Sequence, residues 1–180
     1  ELAPVRLDPF IYLISTTSVS VFFFQAEAGI RDRLVTGVQS VLFRSDNVLI
    51  FATGPLTGTM ASTSGRYAVV TKGPLTNCIA CSNSGGKFGA ELKFAGYDLL
   101  IIEGRAAEPC YLHIVDDKIE ILPADYLWGG SVWETEAAIK AKLQNPALKI
   151  ASIGVAGERG VFYACIINDL HPTGSAIPTS

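Results

Sequence analysis

The chain has 180 residues, of which 49% are hydrophobic and only 17% charged, and a formal net charge of −3. That length can hold one domain with a sizeable core, and so much apolar content excludes disorder over most of it. The acidic balance, with no cluster of Lys and Arg, excludes nucleic acid, which needs a concentrated basic surface.

Charge this scarce is low for a free-standing domain and fits a surface partly covered by further protein. The four cysteines, Cys78, Cys81, Cys110 and Cys165, are too few and too scattered for a disulfide framework and point to a reducing, cytoplasmic setting. Cys78-x-x-Cys81 is the one close pair, half of a zinc or iron–sulfur motif without its other half.

Residues 1–46 read differently from the rest. Phe10 to Phe24, "FIYLISTTSVSVFFF", has no clear period of 2 or 3.6. It is shorter than the ~20 apolar residues a membrane span needs and lacks the cleavage site of a secretory signal, so no membrane association is expected. Val21 to Asp46 closely resembles the translation of sequencing-library adapter read-through. Residues 1–46 are therefore set aside as a non-native segment, as a tag would be.

From Asn47 each piece agrees with its neighbours. Asn47 to Ala52 is a buried strand ending at Thr53-Gly54-Pro55, and Arg66 to Lys72 is a β-branched and aromatic strand between Ser64-Gly65 and Gly73-Pro74. Asn77 to Ser82 can form a third. A helix follows, with Asn83 or Ser84 as its cap, Phe88, Leu92 and Ala95 on one face, and Gly96 just past its end. Lys87 and Glu91 make a solvated i,i+4 pair on another face.

Asp98 to Glu103 is a buried strand, and Cys110 to Val115 and Lys118 to Leu122 flank the hairpin turn Asp116-Asp117. Ser131 and Glu134 make a capping box for a helix that runs to about Leu143 and stops at Asn145-Pro146. Lys149 to Ile153 and Val161 to Ile167 are two further strands joined by a Gly-rich turn. Strands dominate over two helices, so the class is α+β, a sheet-rich domain with helices packed on the sheets, in one piece after Asn47.

Ser82-Asn83-Ser84-Gly85-Gly86 opens the first helix. A helix start offers N–H groups and partial positive charge, and glycines let a ligand reach the backbone. Such a segment suits a phosphate-bearing cofactor, and it is also ordinary turn grammar. Gly65-Arg66 puts a planar, bidentate donor at a strand start. Gly154-x-x-Gly157-x-x-Gly160 precedes a strand and lacks dinucleotide spacing, so it reads as a turn. His113 lies inside an apolar strand and reads as structural. His171, past a strand end after Asn168-Asp169, is the better placed histidine for function.

Together "NVLIFATGPLTGT", "SGRYAVVTKGPLT", "SNSGGKFGAELKFAGYDLLIIEGRAAEPCYL", "KIASIG-AGE" and "YACIIND-H" resemble, in order and spacing, the aldehyde ferredoxin oxidoreductases. The resemblance covers Asn47 to His171. It implies the amino-terminal, sheet-rich domain of an enzyme that holds a tungsten or molybdenum bis-pterin and oxidises aldehydes to carboxylic acids. Electrons would leave one at a time through a four-iron four-sulfur cluster to ferredoxin. On the family's pattern Arg66 bridges pterin and cluster, and Asn83, Ser84, Gly85 and Gly86 cradle the pterin and its phosphates.

The sequence departs from the family after His171, where "PTGSAIPTS" replaces a basic, glycine-rich loop, so residues 172–180 are expected to be a truncated or corrupted tail. Gly73 and Asn77 stand where Ser and Gly are commoner. The family's cluster cysteines lie in later domains, and Cys78 and Cys81 do not match them. The parent would contain those further domains and can be a homo-oligomer. Two other readings stay open here: a stand-alone pterin- or nucleotide-binding module without turnover, and a metal-binding interaction domain built on Cys78 and Cys81.

Overall fold

A computed structural model describes residues 10–14, 17–24, 48–73, 76, 78–105, 108–116, 118–161 and 164–169. Strands β1 (Phe10–Ile14), β2 (Thr17–Phe24), β3 (Val48–Thr53), β4 (Tyr67–Lys72) and β5 (Ile79–Ser84) lead into helix α1 (Phe88–Phe94). Strand β6 (Leu99–Arg105), the hairpin β7 (Cys110–Val115) and β8 (Lys118–Pro123), helix α2 (Val132–Lys142), β9 (Lys149–Ser152), the single-turn helix α3 (Val155–Glu158) and β10 (Ile167–Asn168) complete it.

The strands make two five-stranded sheets, ordered β10-β9-β1-β7-β8 and β2-β6-β3-β4-β5. All pairs are antiparallel except β1 with β9. Residues alternate sides along a strand, and this places the layers. On β7, Leu112 and Ile114 join a core shared with Phe51, Tyr67, Val69, Leu100 and Ile102 of the other sheet, while Tyr111 joins a second cluster with Ile139 of α2. Likewise Ala151 of β9 faces the shared core and Ile150 faces α2. The β1 sheet therefore lies between α2 and the β3 sheet. Helix α1 contributes Phe88 and Leu92 to the shared core and packs on β3, β9 and β1. It thus ties the sheets together beside the candidate site.

The α+β class stands, as do the strands expected near 47–52, 66–72, 98–103, 110–115, 118–122 and 149–153, within two residues at each end. The capping box of α2 is present on both sides: the Ser131 hydroxyl accepts the Glu134 N–H at 3.3 Å, and Glu134 Oε2 accepts the Ser131 N–H at 2.8 Å. Phe88, Leu92 and Ala95 are all buried, as their spacing demands.

Four local expectations differ from the structure. Residues 10–24, set aside from the fold, supply β1 and β2, and β1 is the middle strand of its sheet. A short apolar run has no decisive period of its own, and its strand character comes from pairing, here with β7 and β9. Helix α1 begins at Phe88, not at Asn83 or Ser84, which are the last residues of β5. Its N-cap is Lys87, with no side-chain cap. Cross-strand pairing of Ser84 with Tyr67 prevails over the local capping preference. Of the strand expected over Val161 to Ile167, the described residues show strand only at Ile167, in β10 (Ile167–Asn168), and the Ala164 N–H turns back to the Val161 carbonyl at 2.9 Å. Finally, the Gly-rich turn after β9 contains the one-turn helix α3. Among the described residues no helix is long and apolar enough to cross a membrane.

Candidate functional site

The β4–β5 ladder ends at Tyr67↔Ser84, with Ala68↔Asn83 one step inside it. Arg66 is the next residue outward on one strand and Gly85 on the other, so the ladder itself sets them side by side. The Arg66 backbone is pinned from below. Buried Thr57 donates its hydroxyl to the Arg66 carbonyl at 3.1 Å and accepts the Gly54 N–H at 2.8 Å. A Cβ on Gly65 would stand 3.2 Å from the Gly86 carbonyl, tighter than ordinary contact, so the two glycine segments meet at close range. The structure thus brings Arg66, Asn83, Gly85 and Gly86 to one rim. Arg66, Asn83 and Gly86 are exposed and Gly85 half-buried, and a Cβ on Gly85 would meet nothing within 4 Å.

Ser84, the fifth candidate, faces the other way, as strand alternation requires. It is buried, and its hydroxyl donates to Asn168 Oδ1 at 2.7 Å. The Asn168 amide donates in turn to the Gly85 carbonyl at 2.8 Å. Asp169 follows in the left-handed region at φ 52°, and its Oδ2 accepts the Lys87 N–H at 3.0 Å. That carboxylate takes up a backbone N–H which the sequence assigns to a ligand, and α1 is only seven residues long. The rim, not the helix start, is the open part of the site.

Tyr67 lies beneath the rim. Burial pushes its phenol up to about 12, with the Ser84 hydrogen bond pulling it down and the Asp169 charge adding to the rise. Asn168, Asp169 and Tyr67 are the functional candidates that sequence reasoning missed. The signal available was the polar Asn168-Asp169 pair directly after an apolar run, which drew attention only to His171. His171 lies outside the described residues.

The remaining candidates stand apart. His113 of β7 pairs across the hairpin with Glu120, and Nδ1 to Oε2 is 4.0 Å. Burial holds its pKa below the ordinary value, with Glu120 acting against that. All four cysteines are free: Cys78 and Cys81 are exposed, Cys110 is buried and Cys165 half-buried. Among the described residues no group of three His, Cys, Asp or Glu could hold a metal ion. The rim carries a different set of groups, namely the Arg66 guanidinium, the Asn83 carboxamide and, at Gly85, a backbone with nothing within 4 Å of where a Cβ would stand. It fits a large, planar, phosphate-bearing group better than a bare cation.

Comparison with known proteins places the chain in a family. Residues 32–176 match the family model for the aldehyde ferredoxin oxidoreductase N-terminal domain. The chain is 57% identical over 126 residues to the tungsten-containing aldehyde ferredoxin oxidoreductase of Pyrococcus furiosus, a match covering 70% of this chain and 21% of that protein. It is 37% identical over 142 residues to the aliphatic sulfonate oxidoreductase, WOR-like subunit, of the same organism, covering 72% and 22%. Among solved structures, the active site complex BamBC of benzoyl coenzyme A reductase superposes with a TM-score of 0.76 at 34% identity, covering 95% of this chain and 28% of that one. The chain therefore spans about a fifth of the length of these curated relatives. It belongs to the aldehyde ferredoxin oxidoreductase family, in the region of that family's N-terminal domain.

Proposed function

We propose that this chain is the cofactor-cradling part of a larger oxidoreductase that oxidises aldehydes to carboxylic acids at a tungsten or molybdenum bis-pterin. The observation that carries the reading is the convergence of Arg66, Asn83, Gly85 and Gly86 on one open rim. When bound, the metal–pterin supplies the two-electron redox chemistry, and the protein supplies orientation and electrostatics. Arg66 presents a rigid fork of donors to phosphate or heterocycle edges. Asn83 offers both an amide donor and a carbonyl acceptor, and Gly85 leaves the backbone approachable. Buried Ser84 holds the strand end in register beneath them.

Electrons would pass one at a time through a four-iron four-sulfur cluster to ferredoxin. The cluster ligands and the proton-transfer groups belong to further domains of the parent, which can be a homo-oligomer. Relatives that match this chain carry names with different substrates: aldehydes, aliphatic sulfonates and a benzoyl thioester. A domain common to all three suits cofactor holding, with the choice of substrate made elsewhere. Four free cysteines suit a reducing, cytoplasmic setting.

Anaerobic purification of the full-length enzyme carrying this domain tests the reading. Metal and pterin content and aldehyde-dependent viologen reduction are expected from it. The 180-residue chain alone should reduce no viologen. Viologen reduction by the chain alone, or a full-length enzyme without pterin, overturns the proposal.

A further inference from the structure

We propose that Asn168 and Asp169 are positioning residues that lock the Ser84–Lys87 segment into the conformation that receives the cofactor. This rests on the cofactor-cradle reading above. The two side chains grip successive points of the segment from a different sheet. Asn168, only 1% exposed, accepts from Ser84 and donates to the Gly85 carbonyl, and Asp169 accepts from the Lys87 N–H. Between these grips Gly86 sits at φ 89°, where a Cβ would lie 2.7 Å from Asn168 Nδ2 and 3.1 Å from Asp169 Oδ2. A side chain at position 86 would therefore collide with the clamp, and glycine is what lets the segment lie this close to it.

Two features argue for a role beyond stability. Asp169 stands at φ 52°, a conformation that Asp tolerates better than most L residues, and from there its carboxylate is aimed at one backbone amide. The clamp also turns away from the rim: it takes one face of the Ser84–Lys87 segment and leaves the space over Gly85 open. A ligand contacting Arg66, Asn83 and Gly85 would thus meet a backbone already fixed, and pre-organisation of this kind lowers the entropy lost on binding.

Substitution at Asp169 separates positioning from mere stabilisation. Asp169→Gly deletes the carboxylate while relieving the left-handed backbone, so folding is retained. Asp169→Asn keeps an oxygen acceptor for the Lys87 N–H and tolerates the same φ. Each would be made in the full-length enzyme, produced with tungstate or molybdate. Metal and pterin would be counted per folded chain, and exchange at the Lys87 amide followed by hydrogen–deuterium exchange.

Asp169→Gly is expected to retain about tenfold less cofactor, the scale seen when supporting partners of a bound group are removed. Its Lys87 amide should exchange faster while the thermal midpoint of the cofactor-free protein holds. Asp169→Asn should restore most of the cofactor. Full cofactor content in Asp169→Gly overturns the positioning role and leaves the cradle reading standing. Equal loss in both variants also overturns it, because the acceptor would then not be what matters. A wild-type enzyme without pterin overturns both proposals.

Discussion

Tyr67 couples the chemistry of single residues to the stability of the site. Its ring packs on Phe51 and Phe88, with centroids 6.2 and 5.4 Å away, and a Cβ on Gly89 would come within 2.8 Å of it, so the start of α1 is seated directly on the ring. With its phenol pushed from 10.0 to about 12, Tyr67 keeps its proton in the folded state when the unfolded chain has already lost it. The folded state thus binds more protons across that interval. The associated stability is fully present below pH 10 and is lost as pH rises to about 12, on the order of 2–3 kcal/mol in total. Urea midpoints measured from pH 9 to 12 should fall more steeply for the wild type than for Tyr67→Phe, and parallel slopes would contradict this. At this scale the legible residues were those whose meaning is local. Gly65-Arg66 and Gly85-Gly86 stand out locally as a strand start and a turn, whereas their cofactor role was implied by the family resemblance and not by that grammar. The inward direction of Ser84 was not legible, because its partner Asn168 is 84 residues away.

Helix ends show how much of an element a short stretch can specify. Both longer helices close with the same pair of bonds. At the end of α1, Gly96 N–H bonds the Lys93 carbonyl at 3.0 Å and Tyr97 N–H bonds the Leu92 carbonyl at 3.1 Å. At the end of α2, Gln144 bonds Ala141 at 3.2 Å and Asn145 bonds Lys140 at 3.1 Å. Each is a Schellman motif, and each needs a left-handed residue just past the helix. Gly96 meets that need at φ 94°, whereas Gln144 stands at φ 51° with a side chain. Gly96→Ala should therefore destabilise by about 1 kcal/mol and Gln144→Gly stabilise by roughly half to one. Opposite shifts in denaturant midpoint are the outcome that checks this, and two losses would refute it. Gly96 and the capping box could be read in advance because their partners lie within five residues. The start of α1 could not, since β5 holds Asn83 and Ser84 through pairing with β4.

The whole molecule is organised by one core shared between two sheets, a property that no stretch of sequence displays. Phe51 is completely buried in it, with Leu100 and Ile102 from its own sheet and Leu112, Ile114 and Ala151 from the other. The sequence suggested one domain after Asn47 because nothing interrupts it, but it gave no account of β1, whose strand identity comes from partners at Cys110–Ile114 and Lys149–Ala151. A core held in common should make unfolding cooperative. Phe51→Ala opens a cavity at the centre of that core and should cost about 3–5 kcal/mol. The loss should reach α2, which packs through Ile139 on the outer side of the β1 sheet, in a cluster that does not include Phe51. Native-state hydrogen exchange on this chain reads the effect directly. If the two sheets are one cooperative unit, the slowest amides of β3 and of α2 lose protection by the same factor in Phe51→Ala. If protection falls in β3 alone, the sheets unfold separately. The β4–β5 rim and the Asn168–Asp169 clamp that grips it would then belong to two independently opening parts, a poor support for a fixed cofactor geometry.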